Sequence, residues 1–172
     1  MSPRFELIDA KLWHCGQIIR ILRREQKEAL AIIGIDSHHE LRMAFEDSAY
    51  RKAWLADGKL VGIGGICGPL LSPFGMVWLA LSSRVEKYPL ALIKLLRQQI
   101  EEVMETKRTL LTTILAGDEA AERFAIFMGF VPVGGPNYIL GASSRYGRKE
   151  IARHIKEMGG EGYIRVMEYR GS

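Results

Sequence analysis

The chain of 172 residues has only two cysteines, no long apolar run and no strong excess of either charge. Cys15 and Cys67 have no close partner and no metal-ligand neighbour in sequence. That argues against a disulfide framework and points to free thiols in a reducing compartment. No stretch approaches the length of a membrane span. The opening residues MSPRFELIDA carry charges throughout and have no apolar core, so no signal peptide is expected. The expected location is therefore cytoplasmic. There are 24 Lys/Arg against 20 Asp/Glu, a formal net charge of +4. Residues 145–172 hold 7 of the basic and 4 of the acidic side chains, so the rest is almost neutral. A nucleic-acid surface concentrates its positive charge, so no specific nucleic-acid partner is expected and the basic tail reads as a solvated face.

Catalytic clusters are also scarce. His38-His39-Glu40 looks like a metal or acid/base group, but adjacent helical histidines point about 100° apart and cannot chelate together. No third ligand stands nearby, so exposed first-turn residues are the simpler reading. Gly62-Ile63-Gly64-Gly65 looks like a phosphate loop, yet it lies within a strand and opens no helix. Close packing or a bulge explains those glycines better. No Ser/His/Asp or Cys/His arrangement can be defended from spacing.

What remains is an ordinary globular composition, 48% hydrophobic and 26% charged, with enough length for one domain and a sizeable core. Phe5–Ile8 reads as a first strand, with Asp9 as N-cap of a helix from about Lys11. Leu12, Cys15, Ile18, Ile19 and Leu22 recur at helical spacing, and the helix is expected to run to Ile33 before Gly34 ends it. Ser37 and Glu40 have the spacing of a capping box for a second helix to about Asp47. Residues 51–67 form the clearest hairpin, turning at Asp57-Gly58. Met76–Leu81 reads as a central strand buried on both faces. A helix then starts at Pro89, where the missing N–H costs nothing, with Ile93, Leu96, Ile100, Val103 and Met104 as its buried stripe. Thr109–Leu115 is a further strand. Asp118 caps a helix to Met128, Gly129 stops it, and Phe130–Val133 begins another strand. Tyr138-Ile139-Leu140 could be a strand fragment, Ser144–Met158 looks helical, and Tyr163–Tyr169 reads as a last strand. The order β-α-α-β-β-β-α-β-α-β-(α)-β predicts an α/β protein with one mixed, twisted sheet, antiparallel in its N-terminal half and covered by helices on both faces.

Between the central strand and the Pro89 helix lies Ser83-Arg84-Val85-Glu86-Lys87-Tyr88, a basic turn without glycine. A strand, a turn and a helix N-terminus suit a phosphate, but only where successive backbone N–H groups can approach it. Pro89 offers no N–H, and Lys87 carries a Cβ where approach must be close.

The element order over roughly residues 4–134 resembles the GNAT superfamily of acyl-CoA-dependent N-acyltransferases. Asp118–Phe130, DEAAERFAIFMGF, is similar to the family's penultimate-helix motif, N-x-x-A-x-x-ϕ-Y-x-x-x-G-F, with Ala121, Phe124, Gly129 and Phe130 at matching positions. Residues 84–89 stand where the family has its pyrophosphate loop, R/Q-x-x-G-x-G/A. Arg84 matches, whereas Lys87 and Pro89 replace the two small residues. The resemblance implies acetyl-CoA as cofactor. Pantetheine would lie along backbone groups at Leu79 and Leu81, and the pyrophosphate near Arg84, Lys87 and Tyr88. The family's tyrosine, often the general acid, falls on Ala125. Tyr88 or Tyr138 could replace it, although both read more simply as amphipathic aromatics. Ser82, Ser83, Asp118 and Glu119 are candidates for the base, with Asp118 better explained as a cap.

The chain also resembles the small GNAT-like proteins of short-tailed phages and prophages, related to the internal virion protein A family. The features are Trp13 in the first helix, Trp78-Leu79 on the fourth strand, the glycine-free turn and Met128-Gly129-Phe130. That implies association with a virion and a phage or host protein partner. Two functions stay open: a GNAT-like protein with weak or absent catalysis, and an active acetyl-CoA-dependent N-acetyltransferase of an unknown amine. Residues 135–172 are expected to add an extra helix and a terminal strand outside the family core.

Overall fold

The computed structural model describes residues 3–32, 36–115, 119–132 and 164–170. Its frame is the hairpin of β2 (Ser48–Ala56) and β3 (Lys59–Cys67). Asp57 and Gly58 take φ of +49° and +71°, the paired positive angles that a type I′ turn requires. β1 (Phe5–Asp9) adds antiparallel to β2, and β4 (Phe74–Leu81) adds antiparallel to the far side of β3. A short 3₁₀ turn (Ser83–Lys87) then leads into helix α4 (Pro89–Met104), with Pro89 at the first helical position. β5 (Thr109–Leu115) follows and lies parallel to β4. Helix α5 (Glu119–Phe127), β6 (Val131–Pro132) and β7 (Ile164–Tyr169) complete the described chain. β7 inserts between β5 and β6, giving a seven-stranded sheet in the order β1-β2-β3-β4-β5-β7-β6.

Strand alternation, shifted by a bulge at Val61 opposite Trp54 and Leu55, sorts the core onto two faces. One face carries Trp54, Val61 and Leu81 with Leu92, Leu96 and Val103 of α4 and Ala125 and Met128 beside α5. The other carries Ala53, Leu60, Ile63 and Ala80 under helices α1 (Leu12–Arg20) and α3 (Ser37–Glu46). Ile18, Leu60, Ile63 and Leu110 are fully buried, each stabilising by roughly 1.5–3 kcal/mol. β3 is thin for a reason. A Cβ at Gly64 would stand 2.8 Å from the Trp54 ring and 2.9 Å from the Trp78 carbonyl, and one at Gly65 would stand 2.6 Å from the Tyr50 carbonyl. The glycines let neighbouring strands and rings close over β3.

Four details differ from expectation. The helix expected from Lys11 to Ile33 is two helices, α1 and α2 (Arg24–Ile32). Between them Leu22 bridges Ser82, and the Arg23 N–H donates to the Leu81 carbonyl at 2.9 Å. Hydrogen bonds to the end of β4 outweigh continued helix. Asp9 does not cap α1: it ends β1 and pairs with Lys52 Nζ at 2.8 Å. Lys11 takes the cap position, and its N–H donates to His14 Nδ1 at 2.8 Å. Asp36, not Ser37, caps α3, accepting from the N–H groups of His38 and His39. Finally, β4 is not buried on both faces, since Val77, Trp78 and Leu79 are only half-buried. The expected Asp118 cap, the end at Gly34, the fragment at 138–140 and the helix at 144–158 lie outside the described residues.

Both cysteines are unpaired. Burial pushes the Cys15 thiol up to about 11. Lys107 is buried, and its ammonium donates to the carbonyls of Pro69, Leu70 and Ser72 at 2.7, 2.9 and 2.7 Å. It fixes the loop that feeds β4. Among the described residues no helix is long and apolar enough to cross a membrane.

Candidate functional site

β4 and β5 run together only briefly. Their ladder covers Phe74–Val77 against Thr109–Thr112. Beyond that the strands part, while β5 continues to pair with β7 on its other side as far as Leu115. The Thr112 hydroxyl donates to the Val77 carbonyl at 3.1 Å, at the fork. Past it opens a cleft of about 690 Å³ whose lining includes Trp54, Val77, Leu79, Leu81, Ile93, Thr113 and Phe124. The Ser82 N–H donates to Val61 of β3, which sets the phase of the strand. Alternation then turns the N–H and C=O groups of Leu79 and Leu81 away from β3, towards the cleft.

The Leu79 carbonyl and both backbone groups of Leu81 already have partners. Gln26 of α2 donates from Nε2 to the Leu79 carbonyl at 2.8 Å, and its Oε1 accepts from the Leu81 N–H at 2.9 Å. The Leu81 carbonyl accepts from Arg23, and the Ser83 N–H donates to the Ile21 carbonyl at 3.3 Å. Residues 21–26 thus serve the open edge as a strand would. An unpaired buried donor or acceptor costs about 1–3 kcal/mol, which is the drive for this arrangement.

The basic turn is folded on itself. Val85 N–H donates to the Ser82 carbonyl at 3.1 Å and Tyr88 N–H to the Val85 carbonyl at 2.9 Å. Pro89 contributes no donor. Arg84 Nη1 donates to the Leu60 carbonyl at 3.1 Å, which draws the guanidinium to the hairpin. Lys87 is exposed. The Tyr88 ring packs edge-on to Phe5, centroids 5.3 Å apart. Arg84, Lys87 and Tyr88 therefore do not present a row of outward N–H groups.

No protein-family model matches the sequence, and no curated protein matches it. Solved structures do match it in shape. A GNAT-family acetyltransferase from Streptococcus pneumoniae aligns with TM-score 0.57 and 15% identity over 96% of this chain and 99% of its own. The ribosomal-protein-alanine N-acetyltransferase of Brucella melitensis gives 0.59 and 16% over the same shares, 96% and 99%. The spermidine N-acetyltransferase of Vibrio cholerae, solved with CoA and spermine, gives 0.62 and 11% over 96% and 94%. The fold is that of the GNAT acetyltransferases. At these identities the likeness concerns the fold alone.

Acetyl-CoA, the cofactor this fold implies, can be tested against the groups present. Its pyrophosphate needs successive free backbone donors at a helix N-terminus. Here Ser83, Val85 and Tyr88 donate within the chain and Pro89 cannot donate. The pyrophosphate half does not fit. The pantetheine half has the cleft past the β4–β5 fork, but Gln26 holds the Leu79 carbonyl and the Leu81 N–H.

The acid/base candidates fare similarly. Ala125, at the tyrosine position of the GNAT motif, is buried. Ser82 is fully buried, and its hydroxyl has no partner among the described residues. Ser83 is exposed, and Glu119 is exposed beside Arg123 at 3.7 Å. Asp118 and Tyr138 lie outside the described residues. Tyr50, which is not among the expected site residues, lines the cleft and donates to Gln99 of α4. Burial, then the nearby Glu102, raise its pKa. His38 and His39 are exposed, and among the described residues no His/Cys/Asp/Glu group is arranged to hold a metal. Strand alternation through Tyr50, Lys52 and Trp54 could have flagged Tyr50. Gln26 gave no signal, since a lone glutamine on a polar helix reads as solvated.

Proposed function

We propose that this chain is a GNAT-fold protein with weak or absent acetyl-CoA-dependent catalysis, acting as a scaffold or binding protein. The observation that carries this reading is the segment Ser83–Pro89, in which the Ser83, Val85 and Tyr88 N–H groups are bonded within the chain and Pro89 has none to offer. Losing backbone donors to a desolvated phosphate costs about 1.5–3 kcal/mol, whereas exposed charges such as Lys87 return less than about 1 kcal/mol. The buried Ala125 supports the same reading, because it cannot reprotonate a leaving thiolate. We assign the protein to the small GNAT-like proteins of short-tailed phages and prophages, working in the virion or on a host protein. The exposed Trp13, Trp78-Leu79 on β4, and Gly129 at φ +98° between Met128 and Phe130 support that assignment.

A second reading is an active acetyl-CoA-dependent N-acetyltransferase of an unknown amine. The 690 Å³ cleft between β4 and β5 favours it. Calorimetry of the full chain with acetyl-CoA separates the two. The scaffold reading expects no binding heat and no thermal shift at millimolar acetyl-CoA. Micromolar binding overturns it in favour of the enzyme. Tail, portal or ejection genes beside the coding sequence are expected on the phage assignment, and a purely metabolic neighbourhood counts against it.

A further inference from the structure

The Gln26 carboxamide resembles a peptide unit, a planar group with an NH₂ that donates and an oxygen that accepts. It meets β4 as a neighbouring strand would, giving a donor to the Leu79 carbonyl at 2.8 Å and an acceptor to the Leu81 N–H at 2.9 Å. A strand edge offers these two groups to any extended chain with a secondary amide. The other bonds along this edge come from the backbone at Ile21, Leu22 and Arg23, not from Gln26. The Gln26 side chain can therefore leave by rotating about its own bonds, with α2 intact. A second observation points into the same space. Trp54 lines the cleft, is buried, and its indole N–H has no partner among the described residues. An acceptor further along an entering chain would satisfy it.

We infer that Gln26 is a built-in competitor. Its carboxamide occupies the amide-binding edge at Leu79 and Leu81, and a linear secondary-amide chain enters the cleft only by displacing it. This rests on reading the cleft as that of the GNAT fold, and is independent of the state of the Ser83–Lys87 turn. The probe is pantetheine, which carries amides but no pyrophosphate. Gln26→Ala removes both bonds. Gln26→Glu keeps an acceptor for Leu81 but sets an oxygen against the Leu79 carbonyl. Freed of one competing hydrogen bond or more, both variants should bind pantetheine roughly tenfold or more tightly than the wild type. Gln98→Ala, an exposed glutamine on α4, should leave the affinity unchanged. Equal affinities in the wild type and both Gln26 variants overturn the inference. Where a variant fails to fold, the wild type suffices: pantetheine at high concentration should move the Gln26 side-chain NH₂ resonances towards solvent values. Binding that leaves those resonances in place, or no binding, overturns it. Tight acetyl-CoA binding by the wild type would refute the scaffold reading, while the pantetheine ratio alone decides the competitor.

Discussion

From Phe74 to Val77, β4 is bonded to β5 in a parallel ladder; from Trp78 to Leu81 its outer edge meets a side chain and a helix connector instead. The first half is closed by a regular strand with the fully buried Leu110 behind it. The second half has to find partners for the same kind of groups beside a cleft. The contrast shows that a strand splayed from its neighbour can find partners elsewhere in its own chain. Here the chain breaks its own helix at Ile21–Arg23 and turns in Gln26 to complete the edge. The closed half depends on packing, and the open half on a few polar bonds that something else could replace.

Variants should separate the halves by size of effect. In the closed half, Leu110→Ala leaves a cavity in the main core and is expected to cost about 2–5 kcal/mol in chemical denaturation. Lys107→Met strips three loop carbonyls of their donor just before β4. The expected loss is about 2–3 kcal/mol, with faster proteolysis at 69–72. In the open half, Gln26→Ala should cost only about 1 kcal/mol, because water in the cleft can take over both bonds. A loss as large as that at Leu110 would mean that the cleft is drier and more rigid than described.

The last comparison has a sign rather than a size. His14 stands near the start of α1, whose other end feeds the connector to the open half. It is 1% exposed, and burial holds its pKa below the ordinary 6.5. The unfolded chain then takes up the proton first as pH falls. The stability held in neutral His14 is therefore full above the unfolded value and is lost as pH drops through the folded one. Melting temperature should fall on going from about pH 7.5 to 5.5, and less so in His14→Asn, which keeps an acceptor for Lys11 and does not titrate. Equal falls in both proteins would remove His14 from the account.

Much of this was legible in sequence. Asp57-Gly58 announces the hairpin, Pro89 the start of α4, and β-branched residues the bounds of β5. These signals act over a few residues. The break at Ile21–Arg23 carries none: the apolar spacing runs straight through it, with no glycine or proline. It exists because Leu81 and Ser82, about sixty residues away in sequence, need partners. At Asp9 and Asp36 the local rules were sound but two neighbours competed. Lys52 across the sheet claimed Asp9, and Asp36 stood one residue ahead of Ser37. In the site, the defects of the turn could be read from Lys87 and Pro89. The role of Gln26 could not, because the geometry that defines it belongs to the fold.

The most direct measurement is amide hydrogen exchange at Leu81, read against Ala80, which pairs with Ile63 of β3. If the open edge is completed by the chain itself, Leu81 exchanges almost as slowly as Ala80 in the wild type and much faster in Gln26→Ala. Loop-like exchange at Leu81 in the wild type would contradict the account.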